Sequence, residues 1–473
     1  MIDLIRRHRG PNVALLEPRR SLTLTYAGLM DRVDEVRGLI AAAAGPRDLI
    51  FLAMEPQVEA VVLYLACLAA GLPVCLAEPR PGPLARTAAT YAPPLMLLPP
   101  WLEAPPGYRP EEPPPGAEYR LWRADGGELG TAHADLALLL TTSGSTGSPK
   151  LVRLSLRNIT SNALAIVEYL GLTPDERAIQ SLPVHYSFGL SVLHSHLVAG
   201  GSVVLAPDSF VRREFWTIVD SERCTSFAGV PYMYETLHRL RFDPARHPSL
   251  RTLTQAGGAL RPDLIAAFHE RCVAAGARFF VMYGQTEATA RIAYVPPERL
   301  ADKIGSIGIA IPGGHLSLAP VEGMEGADEL VYAGPNVMMG YAEGRQDLAL
   351  GDVQRGVLKT GDLGRVDGDG YFSVVGRLTR FAKLFGRRVS LEDVEREMES
   401  AFPVRAAALE GGDRILLYVE PAGTLAADVL ASHAARFLGV PPGSIDVRLS
   451  DSLPRTSSGK KNYRALEALA RSR

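Results

Sequence analysis

Four cysteines in 473 residues, Cys67, Cys75, Cys224 and Cys272, are too few for a framework of cross-links. None falls in a C-x-x-C spacing and all sit in apolar segments, which reads as buried, reduced thiols and excludes a disulfide scaffold or a zinc site. Net charge is equally scarce: 50 Lys and Arg stand against 52 Asp and Glu, leaving −2. So small an imbalance gives nucleic acid or an anionic membrane nothing to answer. Long apolar runs are missing too. The best candidate, 61–77, is interrupted by Gly71 and Pro73 and reads as a buried helix followed by a strand. The opening Met1-Ile2-Asp3-Leu4-Ile5-Arg6-Arg7-His8 carries an acid early and lacks the apolar centre of a signal peptide, so a cytoplasmic setting is expected.

What remains is an enzyme-like composition, 47% hydrophobic and 22% charged, on a chain longer than one core usually serves, so two or more domains are expected. Apolar residues at Val33, Val36 and Ile40 keep a helical spacing, Leu49-Ile50-Phe51-Leu52 is strand-like, and the turn at Gly71-Leu72-Pro73 passes from helix to strand. The order is β-α-β, which predicts an α/β fold. Prolines crowd the stretch from Pro93 to Pro115, where no regular element is expected. It reads as a surface crossing, with a proline-rich ligand for a partner as the alternative.

The crossing leads to Leu136-Ala137-Leu138-Leu139-Leu140, a short buried strand, and then to Thr141-Thr142-Ser143-Gly144-Ser145-Thr146-Gly147-Ser148-Pro149-Lys150. Gly144 and Gly147 permit backbone turns that aim several N–H groups at one anion. Ser143, Ser145 and Thr146 add hydroxyl donors, and Lys150 adds a full charge. The loop suits a nucleotide triphosphate. It is not a Walker A loop, because Ser148-Pro149 separate Gly147 from Lys150. The bland alternative is a flexible Ser/Gly connection.

Thr142–Lys150 resembles the phosphate loop of the adenylate-forming superfamily, which includes acyl-CoA synthetases, adenylation domains of peptide synthesis and luciferases. Its members activate a carboxylic acid with ATP and usually pass the acyl group to a thiol. Further blocks follow in the family's order: Tyr283-Gly284-Gln285-Thr286-Glu287, Lys359-Thr360-Gly361-Asp362, Gly376-Arg377 and Leu453–Lys460. The resemblance implies an α/β N-terminal domain over 1–378, made of two sheet subdomains and a small distorted β-barrel. A small mobile α+β lid over 379–473 would carry the catalytic Lys460. In the first helix Thr25 would be the cap and Leu29 would face inward.

Site roles follow from the same resemblance. Thr142, Ser143, Gly144, Ser145, Thr146, Gly147 and Lys150 would hold phosphates, with Gly258 and Ala259 under the adenine. Tyr283, Gly284, Gln285 and Thr286 complete the nucleotide site, with Tyr283 stacking on adenine and Thr286 bonding phosphate. Glu287 would ligate Mg²⁺, which favours oxygen ligands shared with substrate phosphates. Asp362 would accept bonds from both ribose hydroxyls and Arg377 would bond ribose or phosphate. Lys460, Thr286 and Tyr186 form the expected catalytic set.

The acid would be bound by His185, Tyr186, Gly189, Leu193, Gly257 and Arg291. Gly189 stands where amino-acid-activating members carry Asp, and an ammonium without a counter-charge is costly, so an acyl or aryl acid is expected. Arg291 pairs either with a polar end of the acid or with a local acid such as Glu287 or Glu298. His185, His194 and His196 do not form a metal set: 194 and 196 diverge on a helix, and no acid completes them, so they read as packing.

CoA or a carrier-protein phosphopantetheine presents the same thiol, and the basic Arg387-Arg388 beside Phe385-Gly386 suits either. Thr379 replaces the usual hinge Asp or Lys, which brings in a rival reading, adenylation of an unusual acid such as nitrite without a thioester. A nucleotide sensor on a dead scaffold is the third reading, and the joint presence of Lys150, Glu287, Asp362 and Lys460 argues against it.

Overall fold

The computed structural model describes residues 1–473 except 112–117, 127–131, 142–149, 207–208, 322–327, 379, 385–386, 413, 422, 424, 457–459 and 472–473, and the side chains at 381, 383, 387, 388 and 471. The chain divides into two compact units, Met1–His315 with Tyr332–Leu358, and Leu316–Val331 with Lys359–Arg473.

Among its described residues the first unit holds two large sheets. One has nine strands, and six of them run parallel in the order Arg278–Tyr283, Thr252–Gln255, Ser226–Gly229, Arg177–Ile179, Ser202–Val204 and Val13–Glu17. The other has eight, with Leu136–Thr141, Val74–Ala77, Ile50–Ala53 and Leu95–Leu98 parallel at its centre. In the second sheet Leu136–Thr141, Val74–Ala77, Ile50–Ala53 and Leu95–Leu98 are almost wholly apolar and buried, the pattern of parallel strands covered on both faces.

Between the sheets lies the helix Val58–Ala69, buried from Val58 through Leu68. Its residues share one apolar cluster with Leu15 and Val203 of the first sheet and with Leu52, Leu76 and Leu138 of the second. A helix flanked on all sides must be apolar all round, which explains Val-Val-Leu-Tyr-Leu-Ala-Cys-Leu. Glu17 accepts from the Val58 N–H at 3.0 Å, meeting one of the orphan donors of the first turn. The helix Tyr26–Ala43 begins at the expected cap, where Thr25 Oγ1 accepts from the Gly28 N–H at 3.1 Å, and Leu29 is buried.

One expectation fails. The proline-rich stretch carries the strands Leu95–Leu98 and Tyr108–Pro110. Pro93-Pro94 and Pro99-Pro100 bracket Leu95–Leu98 rather than interrupt it. All four leucine and methionine N–H groups stay available, and the segment pairs with Ile50–Leu52 on one side and Arg120–Arg123 on the other.

A four-stranded sheet, His315–Ala319, Asp328–Ala333, Val357–Val366 and Phe372–Arg377, most of whose residues belong to the second unit, occupies the region of the expected barrel. Its last hairpin turns at 367–371 as the Asp-Gly pattern implies, with Asp367 N–H donating to the Tyr371 carbonyl at 3.0 Å. A three-stranded sheet, Val404–Glu410, Ile415–Pro421 and Ile445–Leu449, packs with the helices Leu391–Ala401 and Ala427–Leu438 around Val394, Met398, Leu417 and Leu430. Residues 359–378, which the expected boundary assigns to the N-terminal domain, cluster with this unit.

Candidate active site

In open parallel sheets the loops beyond the carboxyl ends of the strands form the natural ligand crevice. In the first unit Gly257-Gly258-Ala259 follow Thr252–Gln255, Gly284–Glu287 follow Arg278–Tyr283, and His185-Tyr186 lie between Arg177–Ile179 and the helix Ser187–Ala199. The sequence-predicted residues therefore reach one edge of the sheet. Gly258 and Ala259 are exposed there and Gly257 is half-buried with φ +85°, leaving bare backbone. Gln255 steadies the turn by donating to the Gly258 carbonyl at 2.8 Å.

Gly284 is needed for closeness. A Cβ there would meet the Ala290 carbonyl oxygen at 1.8 Å, because the chain folds back on itself through Thr289 and Ala290, both at positive φ. Asn336 holds that return, its side-chain amide donating to the Ala288 and Arg291 carbonyls at 2.8 Å each. Within the turn Thr286 Oγ1 lies 3.1 Å from Ser187 Oγ, tying it to the loop that carries Tyr186.

Glu287 accepts from the Tyr341 hydroxyl at 2.8 Å, and Lys150 Nζ sits 3.5 Å above the centroid of the same ring. Tyr341 reaches this place because Gly340–Ala342 pairs antiparallel with Leu151–Arg153, the strand that follows Lys150. Burial, with the Glu287 carboxylate beside it, pushes the Tyr341 phenol above its ordinary value, so it stays a donor. Lys150 also lies 3.4 Å from Glu343. Tyr341 and Ser187 belong to the site but were missed in the sequence. A pairing signal between 151–153 and 340–342 is what would have revealed Tyr341.

Arg291 is almost fully buried, 2% exposed, and no described acid pairs with it. The expected ion pair with Glu287 or Glu298 is not formed; the guanidinium lies 4.0 Å over the Phe188 ring and bonds Tyr169, leaving Nε and Nη1 without a partner. Burial lowers its affinity for the proton. It borders a cavity of about 20 Å³ lined by Val192, His196, Phe227 and Thr254, where about one water has room beside the guanidinium. Leu193 points into the main core instead, and Gly189 packs on backbone, where a Cβ would stand 2.2 Å from the Pro183 carbonyl oxygen. His185 Nδ1 is buried without a partner, and burial lowers the ring's pKa. His194 and His196 pack as expected, against Tyr64 and Ser226 at 2.8 and 3.2 Å.

In the second unit Asp362 and Arg377 face each other across one rung of the ladder, Arg377 Nε 2.8 Å from Asp362 Oδ1. Asp362 is 2% exposed, while more than half of the Arg377 side chain is open to solvent. Burial raises the neighbouring Glu392 carboxyl despite Arg377 and Arg380. Lys460 is tied to Thr456, its carbonyl accepting from the Thr456 N–H at 2.8 Å.

Thr142, Ser143, Gly144, Ser145, Thr146 and Gly147 of the phosphate loop, the hinge Thr379, and Phe385-Gly386 lie outside the described residues. The surroundings fit a Mg²⁺–nucleotide. Among the described residues no set of three His, Cys, Asp or Glu could hold a resident ion, whereas a single half-buried carboxylate, Glu287, suits Mg²⁺ that arrives with phosphates.

A family model described as AMP-binding enzyme matches residues 106–342. A feruloyl-CoA synthase from Amycolatopsis sp is 32% identical over 370 residues, 73% of this chain and 74% of the relative. A 2-succinylbenzoate–CoA ligase from Enterococcus faecalis is 27% identical over 335 residues, 69% of this chain and 68% of its own. Among solved structures, ATP-bound MatB from Rhodopseudomonas palustris superposes with a TM-score of 0.80 over 99% of this chain and 98% of its own, at 23% identity, a likeness of fold.

Proposed function

The chain belongs to the AMP-binding enzyme family of adenylate-forming ligases, and on that premise we propose that its acid is an aryl or acyl acid with a polar far end. The enzyme is an AMP-forming acid–thiol ligase using ATP, Mg²⁺ and CoA. The acid's carboxylate oxygen attacks the α-phosphorus of ATP, an acyl-adenylate forms and pyrophosphate leaves. The thiol then adds to the acyl carbon and AMP departs. Adenylation of nitrite without a thioester is not favoured, since the relatives are acid–CoA ligases.

No protein nucleophile is required, so the chain's work is positioning and charge neutralisation. The observation that carries the site assignment is the meeting of Lys150, Tyr341 and Glu287 at the strand ends. Lys150 and Thr286 would hold phosphate, and Asp362 with Arg377 the ribose. Glu287 would hold Mg²⁺, which when bound neutralises phosphate oxygens. Lys460 would reach the attacking carboxylate, and a lid over 379–473 hinged near 378 would bring it there. The relatives named as feruloyl-CoA synthase and 2-succinylbenzoate–CoA ligase support an aryl acid here, and the unpartnered Nε and Nη1 of Arg291 support a polar far end beside it. A carrier-protein phosphopantetheine is the alternative acceptor. The four free, buried thiols support a reducing, cytoplasmic setting, and no helix among the described residues is long and apolar enough to cross a membrane.

The test is pyrophosphate release over a panel of aryl and acyl acids, followed by thioester formation with free CoA or a phosphopantetheinylated carrier. Removing a charge aimed at a transition state costs about 10²–10³ in rate, so Lys460→Ala should lose that much adenylation while ATP still binds. Undiminished pyrophosphate release in that variant would remove Lys460 from the mechanism.

A further inference from the structure

Beside Lys460 stands a second lysine of opposite character. Lys461 Nζ donates to Glu395 Oε2 at 2.9 Å, to Glu399 Oε1 at 2.9 Å and to the Ala406 carbonyl at 2.6 Å, using all three of its donors. Glu395 is 5% exposed and shared further: it accepts from the Tyr463 hydroxyl at 2.8 Å, from the Ala408 N–H at 2.8 Å, and from Arg380. The Arg380 guanidinium lies 3.7 Å over the Tyr463 ring. Burial alone would raise the Glu395 carboxyl, but Lys461 and Arg380 bring it below the ordinary range.

We propose that Lys461 is a positioning residue for Lys460, anchoring the backbone beside it to the same carboxylate that fixes Arg380. This rests on the reading of Lys460 as the adenylation lysine. Three observations support it. Consecutive Cα atoms are held about 3.8 Å apart, so an anchored Lys461 keeps the Lys460 backbone within that reach of a fixed point. The backbone is tied at Lys460 and at its neighbour: the Lys460 N–H donates to Thr456 Oγ1 at 3.2 Å, and Lys461 bridges antiparallel to Arg455. Glu395 is shared, taking Arg380 as well as Lys461 and Tyr463, so the anchor of Lys461 is itself held from more than one side.

A buried ion cluster is a weak source of stability compared with apolar packing of the same volume, but it has one register, since each donor finds one acceptor. That matters because a misplacement of about 1 Å can cost about 10²-fold in rate.

The experiment is a comparison of the two half-reactions in the full-length enzyme. Lys461→Met should lower kcat of adenylation, read as pyrophosphate exchange, by about 10²-fold with KM for ATP and acid little changed. Thioester formation from preformed acyl-adenylate, which does not use Lys460, should stay near wild type. Glu399→Gln, a milder change at the same ammonium, should move the same half-reaction in the same direction, and keeps the test available if Lys461→Met does not fold. Equal losses in both half-reactions, or adenylation unchanged in a folded variant, would overturn the proposal. Lys460→Ala run alongside separates the two ideas: if it adenylates normally, the reading of Lys460 fails, and if it is inactive while Lys461→Met is not, only the positioning role fails.

Discussion

The ring of Tyr341 serves two residues at once, stacking under the Lys150 ammonium and donating its hydroxyl to Glu287. Tyr341→Phe keeps the first contact and removes the second. A hydrogen bond to a charged group contributes about 1.5–3 kcal/mol, so the Mg²⁺ concentration for half-maximal pyrophosphate release should rise about tenfold or more, with little change at saturating Mg²⁺. An unchanged Mg²⁺ titration would detach Tyr341 from the metal carboxylate.

Arg291 keeps two nitrogens unpaired in a buried setting. If the acid's far end supplies the acceptor, Arg291→Leu should lower kcat/KM for an aryl acid bearing a second carboxylate or a phenol by about 10-fold or more, and leave the unsubstituted aryl acid within a few-fold. Parallel losses across the panel would assign Arg291 to packing on Phe188.

Gly189 faces the Pro183 and Leu182 carbonyl oxygens, which a Cβ would approach to 2.2 and 2.9 Å. Backbone atoms cannot rotate away as a side chain can. Gly189→Ala should therefore destabilise the first unit by about 1–3 kcal/mol, seen as a lower thermal midpoint, and Gly189→Asp should unfold it rather than confer amino-acid activation. An unaltered midpoint in Gly189→Ala would contradict the packing.

His194 is fully enclosed against Tyr64, and burial lowers its pKa to about 3. The unfolded chain, with a histidine near about 6.5, takes up the proton first, so this contribution to stability is complete above that pH and is lost as pH falls below it. The loss runs at about 1.4 kcal/mol per pH unit until the folded site protonates near about 3. Burial lowers His185 and His196 too, with the same sign. Denaturant midpoints compared at about pH 7.5 and about pH 5.5 should fall for the wild type and fall less for His194→Gln. Equal slopes would mean that His194 is not the titrating group.

Much of the α/β body was legible because its signals are local. The runs at 49–52, 74–77 and 136–140 are apolar and bounded by turn residues, and all three are central strands. The Tyr283–Glu287 turn was legible because its residue types announce their chemistry. What escaped depended on distant partners. Tyr341 looks like any aromatic in a strand until 340–342 pairs with 151–153. Lys461 looks like a surface base until Glu395 and Glu399 enclose it. Arg291 was expected beside a nearby acid, but sequence proximity says nothing about which way a side chain turns after residues at positive φ, and Thr289-Ala290 send it to Phe188. Proline content misled at 95–98 because composition does not register whether a proline breaks a strand or frames it.

The helix Val58–Ala69 is wrapped by both large sheets. Neither layer is then an autonomous folding module, for whichever was made alone would display an uncovered greasy cylinder or lack its inner lining. The chain also passes from the first sheet at Val13–Glu17 to the second at Ile50–Ala53 and back at Arg177–Ile179, so a gene split near residue 175 should yield two insoluble halves that recover solubility only when co-expressed.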